Sequence, residues 1–224
     1  CDDVTVPEVA AAVADGAFYN NGQSCCSVER IYVHESIFDS FVAAFVAAVK
    51  SFKIGDPLDD ETYIGPLTRR AQLDVLEAQL ADAKKKGALV LTGGKRWRGH
   101  GRGSFFAPTV LTGVNHRMMV MREESFGPII GLMAVRDDAH AIELMNDTDY
   151  GLTGSVYTPD EKRARLILRQ VNAGSAYWNC CDRVSPRLPW SGRKNSGMGL
   201  TLSRAGITAF TQPKAWHLRR KASG

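Results

Sequence analysis

The sequence contains no run of about 18 or more apolar residues, so it offers no candidate membrane span. Its first residues, CDDVTVPEVAAAV, carry neither a basic segment nor a small-residue cleavage site, so no secretion signal is expected. An initiator Met is also missing, and the chain is expected to begin inside a longer one. The five histidines, His34, His100, His116, His140 and His217, are scattered, and none stands in a Cys/His metal-ligand spacing. No metal is therefore expected. The glycine-rich TGGKRWRGHG lacks the Walker spacing, and Ser191-Gly192 and NSGMG lack the nucleophile-elbow pattern. A phosphate-binding loop and a serine hydrolase both lose support. No internal repeat or low-complexity segment is present.

Charge and cysteine exclude more. The net charge of +4 gathers in Lys84-Lys85-Lys86 and Arg219-Arg220-Lys221 and not along one stripe. A helix end and a chain tail account for those clusters, and no nucleic-acid recognition motif accompanies them. The cysteine count, 5, is odd, and Cys25-Cys26 and Cys180-Cys181 are adjacent, a spacing that strains a disulfide. A reducing compartment, and with it a cytoplasmic setting, is expected.

What the chain does have is ordinary globular composition: 224 residues, 44% hydrophobic and 23% charged, enough to bury a substantial core in one large domain. Thr5 and Glu8 fit a capping box ahead of an Ala/Val-rich helix reaching about Tyr19, which stops at Asn21-Gly22. A strand RIYVH follows, then an amphipathic helix from Ser36 with Ile37, Phe38, Phe41, Val42, Phe45 and Val49 on one face. GDPLDD reads as a turn. A helix over 68 to 86 carries Leu73, Leu76 and Leu80 on one side and Gly87 as its C-cap. The strands ALVLT, PTVLTGV, IIGLMAV, GSVYT and GSAYWN then alternate with helices near 138 to 147 and 160 to 171. That alternation predicts an α/β layer fold with a largely parallel sheet flanked by helices. KRWRGHGRGS, 95 to 104, reads as a mobile surface loop.

Two stretches carry candidate chemistry. FYNNGQSCCSVER sets two cysteines after a turn, where a loop between helix and strand offers backbone N–H groups and access to a thiol. Cys25 and Cys26 point in different directions, so one can face a cleft while the other packs. The plainer reading, two small buried hydrophobes, stands beside it. MREESFGPI supplies two carboxylates, a ring and a Gly-Pro turn just before an apolar strand. A carboxylate for hydroxyls and a ring face for a planar heterocycle describe the needs of a nucleotide.

With these residues the chain resembles the aldehyde dehydrogenase superfamily over nearly its whole length. FYNNGQSCCSVER is similar to the cysteine signature, REESFGPI to the Glu-x-Phe-Gly-Pro segment, and WNCCDRVSPRLPWSGRKNSGMG to the substrate-loop pattern. The resemblance implies the catalytic-domain fold, with residues 1–213 as the thiol-bearing domain, 214–224 as a C-terminal strand and tail, and the cofactor domain upstream. It implies Cys25 as nucleophile with Cys26 beside it, Glu124 on the nicotinamide ribose, Phe126 against the nicotinamide, and Gln72 toward the adenosine side. Asn179, Cys181, Asp182, Arg183 and Trp190 are implied to line or flank the aldehyde tunnel. It further implies NAD or NADP as cofactor, an aldehyde substrate, and a homo-oligomer formed through the strand beginning at Lys214. The general-base Glu of the family lies in a segment this chain does not contain, so the chain alone is expected to be nearly inactive. A cysteine-dependent ester or thioester hydrolase and a non-catalytic assembly fragment are the competing readings. No nucleic acid or membrane partner is implied.

Overall fold

The fold is taken from a computed structural model that describes residues 1–99, 103–181 and 183–220. Helix α1, Val6–Phe18, buries Ala10, Val13, Ala14, Ala17 and Phe18, the three-and-four spacing of a single helical stripe. The expected capping box does not form. Thr5 is the N-cap residue, but its side chain makes no capping hydrogen bond. The Glu8 N–H that a capping box would use is not bonded by Thr5, and Pro7, at the second helical position, presets the helical φ instead. Strand β1, Arg30–His34, is followed by one 3₁₀ turn and helix α2, Phe38–Lys50, which buries Phe41, Phe45 and Val49. Helix α3, Ala71–Lys85, turns Leu73, Leu76 and Leu80 inward and ends at Gly87, whose φ of +98° suits a residue without a Cβ.

Strands β2, Leu89–Thr92, β3, Thr109–Thr112, and β4, Ile129–Val135, complete a four-stranded sheet in the order β1-β4-β3-β2. The β1/β4 and β3/β4 pairs are parallel, and β2 is an antiparallel edge with a register shift between Val90 and Thr92. Side chains alternate across it with period two. Ile31, Val33, Val110, Ile130 and Leu132 face α1 and α2, whereas Leu111 and Ile129 face α3 together with Leu73, Leu76 and Leu80. Gly131 at the sheet centre admits Met121: a Cβ there would stand 2.6 Å from the Met121 sulfur.

The chain then adds α4, Asp138–Asn146, β5, Tyr150–Gly151, β6, Thr153–Val156, α5, Glu161–Leu168, β7, Ser175–Trp178, β8, Arg193–Lys194, and α6, Ser203–Thr208. Strands β6 and β7 form a parallel pair joined through α5, and β5 pairs antiparallel with β8. Asp137 and Asp160 cap α4 and α5, their carboxylates accepting from His140 N and from Lys162 and Arg163 N. The Gly/Arg-rich loop is anchored at its base: Arg96 is paired with Asp74 and Glu77, and Trp97 packs edge-on against Phe105. Residues 100 to 102 of that loop lie outside the described residues. Residues 211 to 220 run exposed, with no strand ladder among the described residues.

Candidate active site

The turn that carries the cysteines is built from Asn-Asn-Gly. Asn20, Asn21 and Gly22 take φ of +49°, +58° and +69°, three successive left-handed residues, which asparagine and glycine tolerate best. Asn21 is buried, and its amide donates to Gly65 O and Pro66 O while accepting from Gly65 N, so the turn is pinned to a second loop. Gln23 adds a bond from Thr68 N at 2.9 Å. Gly22 lies so close to the next motif that a Cβ there would meet Gly127 O at 2.5 Å. The cysteine segment and the Glu-x-Phe-Gly-Pro segment are therefore in backbone contact.

Ser24 to Ser27 form a tight turn closed by Ser27 N on Ser24 O at 3.0 Å, with both cysteines at its centre. All five cysteines are described, none is in a disulfide, and Cys25 is the exposed one. Cys26 is buried, its sulfur 3.1 Å from Tyr19 Oη and 3.3 Å from Ser24 Oγ. The Cys25 thiol is pushed up from its ordinary range, first by desolvation, then by the Cys26 sulfur beside it and the Glu124 charge, and its backbone hydrogen bond only partly offsets this. The turn thus supplies access, and its backbone N–H favours the thiolate too weakly to overcome burial and the neighbouring groups.

A cavity of about 460 Å³ opens beside this turn, lined by Cys25, Cys26, Glu29, Glu124, Tyr177 and Cys181 among others. Among the described residues strands β1 and β6 each have one ladder partner, and both contribute residues to its wall. Glu124 is exposed. Phe126 is half-buried at φ +45° and is not among the lining residues. Gln72 sits behind this segment and donates to Ser125 O at 2.6 Å. Cys181 is buried, with Tyr157 Oη donating to its sulfur at 3.3 Å. Asn179 is exposed at φ +53° and accepts from Thr158 N at 3.0 Å. Arg183 is exposed, and Trp190 exchanges two backbone hydrogen bonds with Thr201. Neither they nor Asn179 line the cavity, and Asp182 lies outside the described residues. The described residues hold no cluster of three or more metal-ligating side chains, and none of their helices is long and apolar enough to cross a membrane.

Sequence reasoning passed over Glu29. Its carboxyl is enclosed, and it accepts from Ser125 N at 3.1 Å and Phe126 N at 3.2 Å. The one available signal was a carboxylate abutting an apolar strand, where an exposed partner is the commoner arrangement.

The profile of the aldehyde dehydrogenase family matches residues 1–216. The chain belongs to the aldehyde dehydrogenase family. An aldehyde dehydrogenase of Paenarthrobacter nicotinovorans is 41% identical over 210 residues, covering 93% of this chain and 45% of that protein. The crystal structure of an NAD-dependent aldehyde dehydrogenase from Sinorhizobium meliloti superposes with a TM-score of 0.91 at 32% identity, over 99% of this chain and 44% of that one. An NADP-dependent glyceraldehyde-3-phosphate dehydrogenase from Bacillus halodurans, complexed with NADP, gives 0.88 at 31% identity, over 95% and 44%. The aldehyde dehydrogenase chain described here thus spans less than half the length of the relatives it matches.

Proposed function

We propose that these residues are the thiol-bearing part of a full-length NAD(P)-dependent aldehyde dehydrogenase that oxidises an aldehyde to a carboxylic acid through Cys25. The observation that carries this reading is the juxtaposition of an exposed Cys25 with Glu124 in one cavity wall, on a turn whose Gly22 touches Gly127. The residues fit a nicotinamide dinucleotide. Glu124 is an exposed carboxylate suited to ribose hydroxyls in the same cavity wall as Cys25, and the close Gly22–Gly127 approach holds the two segments together.

Within this proposal the Cys25 sulfur, once deprotonated, adds to the aldehyde carbon. The carbonyl π pair moves onto oxygen and leaves a thiohemiacetal oxyanion, which the Cys25 backbone N–H helps to hold. The nicotinamide, when bound, supplies the acceptor for the hydride that leaves this carbon. Cys25 then carries a thioester, and water cleaves its C–S bond to release the acid and return the thiol. Cys26, held by Tyr19 and Ser24, supports the turn and takes no part in bond making. Cys181 backs the cavity, and Asn179, Arg183 and Trp190 belong to the loops flanking the substrate entrance. The glutamate that activates water belongs, on the family pattern, to another part of the full-length protein.

The exposed 211–220 stretch, with Trp216 and Leu218 72% and 81% exposed, is proposed to pair with a second copy, since an unpaired extended segment leaves its N–H and C=O groups and apolar side chains uncovered. A cytoplasmic setting accords with five cysteines of which none is in a disulfide. The test uses the full-length protein, a panel of aldehydes and either dinucleotide, followed by absorbance of the reduced nicotinamide. Cys25→Ala is expected to lose roughly a thousandfold or more in kcat, as removal of a nucleophile does. Cys26→Ala keeps most of the activity. Equal losses from both, or thioester hydrolysis with no dinucleotide dependence, would overturn the assignment.

A further inference from the structure

Glu29 lies at the entry to β1, 96 and 97 positions from the two amides it holds. Its Oε2 accepts from Ser125 N and its Oε1 from Phe126 N, the two residues immediately after Glu124. Successive backbone N–H groups converging on one anion form a nest, and here the protein supplies its own anion. Phe126 needs that support. A bulky residue at φ +45° is strained and persists only where its surroundings over-determine it. Gln72 closes the opposite side by donating to Ser125 O at 2.6 Å. The peptide linking Glu124's neighbour to Phe126 is thereby gripped from both faces, by a residue next to the cysteine turn and by a residue of α3.

We infer that Glu29 is a positioning residue: its carboxylate, through the Ser125 and Phe126 amides, sets the loop conformation that presents Glu124 and Phe126 to a nicotinamide dinucleotide beside Cys25. This inference rests on the dehydrogenase reading for the identity of the ligand, and on hydrogen bonds alone for the grip on the loop.

The enclosure of the Glu29 carboxyl pushes it up to about 7, desolvation outweighing the pull of the two amides, with the Glu124 charge adding to the rise. The clamp needs the carboxylate form, because a protonated carboxyl turns one acceptor oxygen into a donor. In the folded chain the carboxylate, and with it the two charge-assisted amide bonds, is the main form above about 7 and gives way to the protonated form below it, while the enclosure itself favours the protonated carboxyl. Cys25 and Cys26 from the turn, Arg30 from β1, and Arg122, Glu123 and Glu124 from the segment before β4 share the cavity with Glu29. The pH profile is consequently assigned by its loss in a Glu29 variant and not by its midpoint alone.

The experiment compares wild type and Glu29→Gln in the full-length protein. Hydrogen exchange at the Ser125 and Phe126 amides is expected to quicken about tenfold in Glu29→Gln with the amides of β4 unchanged, since a charged acceptor is replaced by a neutral amide of the same size. The dinucleotide KM is expected to rise about tenfold while kcat at saturation changes by less than about threefold, the signature of lost binding. In wild type that KM climbs as pH falls through about 7, and in Glu29→Gln it is flat. Unchanged exchange at the two amides overturns the inference. So does faster exchange across the whole of β4, which would make Glu29 a residue of the fold alone. Should the protein reduce no dinucleotide with any aldehyde, the dehydrogenase reading falls while the exchange comparison still decides whether Glu29 holds the loop.

Discussion

The four-stranded sheet and the β6–α5–β7 unit are built from the same kind of segment, an apolar run joined to a helix, yet they enclose very different amounts of core. The first places helices on both faces, so Val110, Ile130 and Leu132 pack one way while Leu111 and Ile129 pack the other. The second gathers Val156, Ala164 and Ile167 as its buried apolar residues, and beyond it Ile207, Phe210, Trp216 and Leu218 stand more than two-thirds exposed. The cysteine turn belongs to the first region, tied to its loops by Asn21 and Gln23 and to α1 by Ser27, whose hydroxyl donates to Gly16 O. The proposed nucleophile, Cys25, is thus mounted where the chain is most constrained, and the loops proposed to flank the substrate are mounted where it is least enclosed. Precision at the thiol and adaptability at the entrance follow from that division.

The contrast can be broken most directly in the core. Phe45→Ala, at a fully buried position stacked on Phe41, is expected to cost about 3–5 kcal/mol in urea unfolding, while Phe210→Ala, at 88% exposure, changes stability by less than about 0.5. Comparable losses would mean that the tail is covered in solution. Next in size is Gly22→Ala, which adds a Cβ 2.5 Å from Gly127 O at a φ of +69° and is expected to cost about 2 kcal/mol and to disturb the site. Gly197→Ala, also at positive φ but with nothing near its Cβ, is expected to cost about 1 kcal/mol. Arg163→Ala removes the ion pairs to Asp2, Asp3 and Asp138 that fasten the N-terminal residues and α4 to α5, an effect of about 1 kcal/mol at this partly exposed place, measured by the same denaturation.

The smallest effect concerns the thiol. Because Cys25 is raised, its alkylation rate should keep climbing through the ordinary thiol range as pH increases. Glu124→Gln removes a like charge and should shift that profile to lower pH, quickening alkylation about twofold at a fixed pH near 8. A shift in the opposite direction would show that Glu124 acts on Cys25 through structure and not through charge.

Much of this was legible beforehand. The helices and strands of the main sheet sit where apolar periodicity placed them, because three-and-four and alternating spacings each suit one backbone geometry. The turn at Asn-Asn-Gly was also legible, since those residues accept left-handed backbone at little cost. The Thr5 capping box misled because the rule reads residue types at a spacing and not whether the Thr5 hydroxyl reaches the Glu8 N–H, which it does not. Within KRWRGHGRGS, composition carried no sign of Arg96 reaching Asp74 and Glu77 on α3, a contact between residues 19 and 22 positions apart.

The order of residue types was sufficient to decide which segments of the main sheet and its helices would curl or extend, and that a pair of adjacent thiols would sit on a turn after Asn-Asn-Gly. Which of the two thiols faces outward, why its proton is held tightly, and how Glu29 grips a loop 96 residues away were decided by packing. Local preference acts between neighbours along the chain. Burial and hydrogen bonding act between neighbours in space, and those are chosen only once the sheet has formed.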